Sequence, residues 1–169
     1  MTQIDRALSG YQFMTIGAAV ALAVVTGLIA IQSGAGWRNS LIRSALAGSI
    51  TCVLGVTLSP SLGTPSCFEL APFTNLGTTS GAAQLIGNLV LTVPSGLFCV
   101  LATGSLRRSV SAGLALCIGI ESVQLFLPIG RIASTEDVLA TSFGWIAGAL
   151  IAGLATRLTT RMGASVRTR

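Results

Sequence analysis

The chain has 169 residues, of which 51% are hydrophobic and only 9% charged, with a mean hydropathy of +0.81; an ordinary soluble domain is about 25% charged. So little charge cannot cover a water-facing surface, which excludes an ordinary soluble protein and makes the bilayer the solvent. All ten cations are arginine and histidine is absent, which removes Schiff-base lysine chemistry and any histidine acting as general base or metal ligand. The net charge of +5 does not point to nucleic acid, because the arginines sit in short loops and in the tail, as membrane topology requires.

The length fits one membrane domain over 1–169, and five spans of about 20 residues with short loops use nearly all of it. The first apolar segment runs over 13–31; its length and the offset of Arg6 by Asp5 make it a retained span rather than a signal peptide. The second covers 41–58, with Arg43 near its start able to snorkel toward headgroups. The third covers 84–103 and contains Pro94, the fourth 110–127, closed by Pro128 and Gly130, and the fifth 138–157. The expected fold is therefore an all-α, polytopic transmembrane bundle. Cys52, Cys99 and Cys117 lie inside apolar runs and only Cys67 lies in a loop, so there is neither a disulfide framework nor a CxxC metal spacing.

Five spans alternate the loops between two sides. One side carries Arg38, Arg43, Arg107, Arg108, Arg157, Arg161, Arg167 and Arg169, and the other only Arg6 and Arg131. Cationic loops stay in the cytoplasm, so the N-terminus is expected outside and the C-terminus inside. Two loops then face outward: the long connection from Ser59 to Gly81, and PIGRIASTE, from Pro128 to Glu136.

Polar residues converge on that face. Glu121 lies about 9 Å below the outer end of the fourth span at 1.5 Å per residue, and Gln124 shares its face. In the third span Gln84, Asn88, Thr92 and Ser95 form a stripe at roughly helical spacing, and Asp137 opens the fifth. An unpaired ionisable group at such depth costs a few kcal/mol, so Glu121 is expected to face the bundle interior, with Arg131, or Asn88 and Gln84, as partners. Buried polar groups also fasten helices together, which is the better reading for Thr92 and Ser95. Glu136 and Asp137 suit a helix N-terminus, with Ser134 or Thr135 as N-cap. Gly144, Gly148 and Ala152 form a small-residue packing seam.

At these residues the chain resembles the VanZ-like family of bacterial membrane proteins. The family's Asn-x5-Pro-x-Gly pattern is matched by Asn88, Pro94 and Gly96. Its acid followed by Leu/Val-Gln, and its Gly-Arg loop leading to a helix-starting Asp, are matched by Glu121, Gln124, Gly130, Arg131 and Asp137. Phe143, Gly144 and Gly148 match a packing segment, and Ala71 to Asn75 the Pro-Phe turn before the third span. The resemblance covers about 68–154. Two positions depart from it: Thr141 stands where the family usually has Asn, and Ser134 where it commonly has an acid. The resemblance implies a multi-pass protein of the bacterial cytoplasmic membrane, associated with lowered susceptibility to teicoplanin.

The first functional expectation is a non-catalytic envelope protein that binds a lipid-linked or amphiphilic ligand, such as a cell-wall precursor or a lipoglycopeptide, at the outer leaflet. Arg131 would meet an anionic headgroup, since its planar fork suits phosphate or carboxylate. Glu121, Gln124, Asn88 and Asp137 would supply the other polar contacts. Membrane lipids are the remaining partners, and neither a cofactor nor a metal is expected. A membrane enzyme is the alternative, with Glu121 as general base and Asp137 and Glu136 on a divalent cation. Two adjacent carboxylates are few ligands for such an ion, and no strong nucleophile is present, so the inventory leans against catalysis without excluding it. A proton-coupled transporter using Glu121 and a purely structural assembly partner also stay open.

Overall fold

A computed structural model describes residues 25–26, 29, 36–58, 68–69, 79–126 and 133–167. The span expected over 13–31 lies outside the described residues, apart from Val25, Thr26 and Ile29, which are helical. The loop residues Cys67, Ala71 to Asn75, Pro128, Gly130 and Arg131 also lie outside them.

Helix α1, Trp37–Thr57, contains several hydroxyl side chains that have no water to bond inside a bilayer. They turn back on their own helix: Ser44 Oγ donates to the Ser40 carbonyl at 2.8 Å, Thr51 Oγ1 to Ala47 at 2.9 Å and Thr57 Oγ1 to Val53 at 2.6 Å. Each hydroxyl is thereby satisfied within the segment, as a lipid environment demands. A two-residue strand β1, Phe68–Glu69, follows.

Helix α2, Thr79–Thr103, continues through Pro94, which removes the donor for the Val90 carbonyl and lies on the exposed side. The helix stops at Gly104, whose φ of 65° favours glycine. The Gly104 N–H donates to the Val100 carbonyl at 2.8 Å, which closes an αL cap. Helix α3, Leu106–Phe126, starts immediately after, with Ser105 Oγ accepting the Arg108 N–H. Strand β2, Ala133–Ser134, leads directly into α4, Thr135–Arg167. Strands β1 and β2 pair in parallel, Phe68 against Ala133 and Glu69 against Ser134, so the connections before α2 and after α3 are joined over one end of the bundle.

The α2–α4 pair has the most extensive contact, and glycines allow it. A Cβ on Gly144 would overlap the Leu89 carbonyl and the Thr92 hydroxyl, and one on Gly148 the Val93 carbonyl; one on Gly96 would overlap the Trp145 carbonyl in the other direction. These pairings make α2 and α4 parallel. Trp145 packs its ring against Gly113 of α3, and its indole N–H donates to the Ser109 carbonyl at 2.9 Å and to Ser109 Oγ at 3.2 Å. With the Ser134 N–H bound to Glu121 at the other end of α3, those contacts set α3 antiparallel to α4. The small-residue seam expected from the sequence is thus a backbone-to-backbone contact, and Ala152 is buried along it.

Polarity runs opposite to that of a soluble bundle. The buried positions of α3 are Ser109, Gly113, Cys117, Ile120, Glu121 and Gln124, while Leu114, Ile118 and Phe126 face outward. On α4, Phe143, Leu150, Ile151 and Leu154 are exposed and Asp137, Thr141 and Ser142 are buried. An apolar exterior over a small and polar interior is what lipid selects. Among the described residues four helices are long and apolar enough to cross a membrane, Trp37–Thr57, Gly81–Thr103, Leu106–Phe126 and Thr135–Thr160. They correspond to the second to fifth expected spans, and each begins earlier than its apolar run because polar first turns are helical too. α4 also outlasts its run.

Replacing Gly148 by Leu drives a side chain into the α2 backbone and is expected to lower stability by about 1–3 kcal/mol or more. Gly119→Ala, where an added Cβ meets nothing within 4 Å, is expected to be neutral or stabilising by up to about 1 kcal/mol. Thermal unfolding of both variants in one detergent checks the pair.

Candidate functional site

Two carboxylates from different helices share one end of the bundle. Asp137 stands in the first turn of α4 and is 8% exposed; Glu121 stands near the end of α3 and is 7% exposed. Ser134 joins them. Its backbone N–H donates to Glu121 Oε2 at 3.0 Å, and its hydroxyl accepts the Asp137 N–H at 3.0 Å. The second contact is the N-cap of α4, with Ser134 at N-cap and Asp137 at N3. Asp137 is well placed for the helix dipole as well.

From α2, Gln84 Nε2 donates to both Asp137 carboxyl oxygens, at 3.4 and 3.3 Å, and Asn88 Nδ2 makes a short bond to Oδ1. One turn deeper, Thr141 Oγ1 donates to the Asp137 carbonyl at 2.6 Å, and Thr92 Oγ1 donates to the Thr141 carbonyl at 2.8 Å. The result is a continuous chain of polar contacts through α3, β2, α4 and α2: Glu121, Ser134, Asp137, then Asn88 and Gln84 on one branch and Thr141 and Thr92 on the other. The helical stripe of α2 is real, and Thr92 fastens helices as expected.

The pairing within the chain differs from expectation in one respect. Asn88 and Gln84 were expected to partner Glu121, and they partner Asp137 instead. The glycine seam brings α2 against α4, so the short amide side chains of α2 reach the first turn of α4. Arg131, the other expected partner of Glu121, lies outside the described residues.

Gln124 is buried at 2% exposure and points to a different neighbour. Its Nε2 donates to the Thr57 carbonyl at the end of α1, 2.7 Å away. Its Oε1 is buried without a hydrogen-bond partner, as are Ser95 Oγ and Ser142 Oγ. Spacing alone did not reveal Thr57 or Ser109 as partners, because helical phase reports a face and not the neighbour opposite it. Among the described residues no group of three or more His, Cys, Asp or Glu side chains is placed to hold a metal ion.

A model of the VanZ/LLP1 family matches residues 18–156. The chain belongs to the VanZ/LLP1 family. No curated protein and no solved structure is significantly similar to it. The match begins well before the segment over which the resemblance was legible, 68–154, and takes in α1.

In this VanZ/LLP1 member the residues that carried the resemblance have distinct tasks. Asn88 holds Asp137, Gly96 admits the Trp145 backbone, and Gly144 and Gly148 seat α4 on α2. Pro94 and Phe143 lie on the exposed side. The two departures are occupied as well: Ser134 caps α4 and serves Glu121, and Thr141 links Asp137 to Thr92.

Asn88→Ala removes a donor from the buried Asp137 carboxyl, and Asp137→Ala removes the acceptor of the half-buried Asn88 amide, each at a cost of about 1–3 kcal/mol. The double variant is expected to lose less than the sum, with a coupling of about 0.5–3 kcal/mol. Equilibrium unfolding of the four proteins in micelles measures it; strict additivity contradicts the contact.

Proposed function

We propose that this VanZ-type membrane protein binds a lipid-linked or amphiphilic ligand at the outer face of the bacterial cytoplasmic membrane, and thereby lowers susceptibility to teicoplanin-type glycopeptides. The observation that carries the reading is the Glu121–Ser134–Asp137 connection. Two acids from separate helices are buried at the end of the bundle where strands β1 and β2 pair. Buried acids in a membrane are costly and mark functional sites by default. Gln124 Oε1, buried and without a partner near the same end of α3, leaves an acceptor to satisfy.

Arg131 follows Pro128 and Gly130 in the loop between Glu121 and Asp137, and in this reading it meets the ligand's phosphate or carboxylate. The outward orientation rests on charge. Helix alternation gathers Arg38, Arg43, Arg107, Arg108 and Arg157 at the end opposite the acids, and arginine-rich ends stay in the cytoplasm.

A second reading is favoured by the bonding of Asp137. Its carboxyl group and its N–H are taken up by Gln84, Asn88 and Ser134, as in a network whose task is to fix helix register.

The experiment is a titration of the purified protein in nanodiscs with an undecaprenyl-linked cell-wall precursor and with teicoplanin, beside susceptibility assays. Under the first reading Glu121→Gln and Arg131→Ala each weaken saturable binding by about tenfold or more and remove protection. Wild-type binding and protection in both variants, with a lowered unfolding temperature for Glu121→Gln, would leave only the structural reading.

A further inference from the structure

At the end of the bundle opposite the acids, α2, α3 and α4 leave a groove of about 270 Å³. Val100, Leu106, Leu150 and Leu154 give it apolar walls, Gly153 lies on α4 within it, and Arg157 stands among its lining residues. Val100 belongs to the buried cluster it forms with Ala149 and Ala152, and Leu106 packs against that cluster. The volume falls below the about 300–1,000 Å³ of small-molecule pockets, so it suits one segment of a chain-like ligand rather than a whole molecule.

Gly153, on α4, leaves the groove open. Gly144 and Gly148, on the same helix, are needed because α2 backbone occupies the place of a Cβ; a Cβ on Gly153 meets nothing within 4 Å. Packing between helices therefore does not explain the missing side chain at 153, and a larger residue there would fill the groove.

Among the described residues the rim is cationic and no acid side chain answers it. Arg107 and Arg108 directly follow the lining residue Leu106 and sit in the first turn of α3, which contains no acid. That is the helix end where the dipole favours negative charge and disfavours arginine. The acids whose side chains are described, Glu121, Glu136 and Asp137, belong to the opposite end. Arg107, Arg108 and Arg157 are all exposed.

We infer that the groove holds one anionic phospholipid of the surrounding bilayer, with an acyl chain along Leu106, Leu150 and Leu154 and the headgroup phosphate at Arg157, beside Arg107 and Arg108. The lipid phosphate supplies the negative charge that the α3 N-terminus lacks, and guanidinium groups take it by forked hydrogen bonds. The site is separate from the acidic one and independent of any ligand bound there.

The test uses the full-length protein reconstituted with equal amounts of phosphatidylglycerol and phosphatidylcholine, followed by native mass spectrometry of retained lipid. Wild type is expected to retain one phosphatidylglycerol in preference to phosphatidylcholine. Arg157→Gln reduces that preference about fivefold, as one arginine near an anionic surface contributes about 1 kcal/mol, and Arg107→Gln with Arg108→Gln reduces it further. Gly153→Leu keeps every charge and abolishes retention, with thermal unfolding in phosphatidylcholine alone unchanged. Equal retention of both lipids by wild type overturns the proposal. Loss in the arginine variants with full retention in Gly153→Leu also overturns it, since that pattern is diffuse charge attraction without a groove. Loss in Gly153→Leu with an unchanged headgroup preference in the arginine variants overturns the assignment of the phosphate.

Discussion

The close approach of α2 and α4 governs the rest of the bundle. In lipid, helices gain little from burying apolar side chains against each other, because the tails outside are equally apolar; contact must come from packing and hydrogen bonds. Gly96, Gly144 and Gly148 remove the side chains that would hold the two backbones apart. Only at that separation do Asn88 and Gln84 reach the Asp137 carboxyl, and only then does the Thr92 hydroxyl find the Thr141 carbonyl. The polar chain is a consequence of the seam.

A second consequence concerns Trp145. With α4 held on α2, its indole is directed at α3, where Gly113 leaves room for the ring and Ser109 accepts the indole N–H. Ser109 Oγ in turn donates to the Gly96 carbonyl at 3.3 Å. A large amphipathic side chain is thus buried completely with its one donor satisfied, and three helices meet around it. The bundle therefore has a wide polar centre at its acidic end, an aromatic lock near its middle and an aliphatic cluster around Val100 and Ala149 toward its arginine end.

Much of this was legible in the sequence, for stated reasons. Apolar run length located the four described spans, and helical spacing singled out the stripe from Gln84 to Ser95 and the seam at Gly144 and Gly148. The placement of Glu121 and Gln124 toward the interior followed from the cost of exposing them to lipid. What spacing could not supply was the neighbour. Asn88 and Gln84 stood beside Arg131 as candidate partners of Glu121, and the α2–α4 contact gives the two amides to Asp137. The burial of Trp145 depends on Gly113 in another helix, which the spacing along its own helix does not report. The β1–β2 pair is too short for any pattern, and helix ends lay outside the apolar runs because Thr79 and Arg107 are polar and helical at once.

Ser134 takes part in three unrelated contacts: it pairs with Glu69 in the strand, caps α4 and donates to Glu121. Every partner so described for Glu121, Asn88 and Gln84 comes from Ser134 or Asp137, late in the chain, whereas Gln124 finds Thr57, which is made early. A nascent chain that has inserted only as far as α3 therefore carries the Asn88 and Gln84 amides without the Asp137 carboxyl that accepts from them, and Glu121 without the Ser134 N–H. Emergence of β2 and α4 supplies these contacts together. α4, made after α2 and α3, is the helix that makes those two tolerable in lipid, and truncation ahead of it yields a segment fit for quality-control proteolysis rather than a smaller bundle.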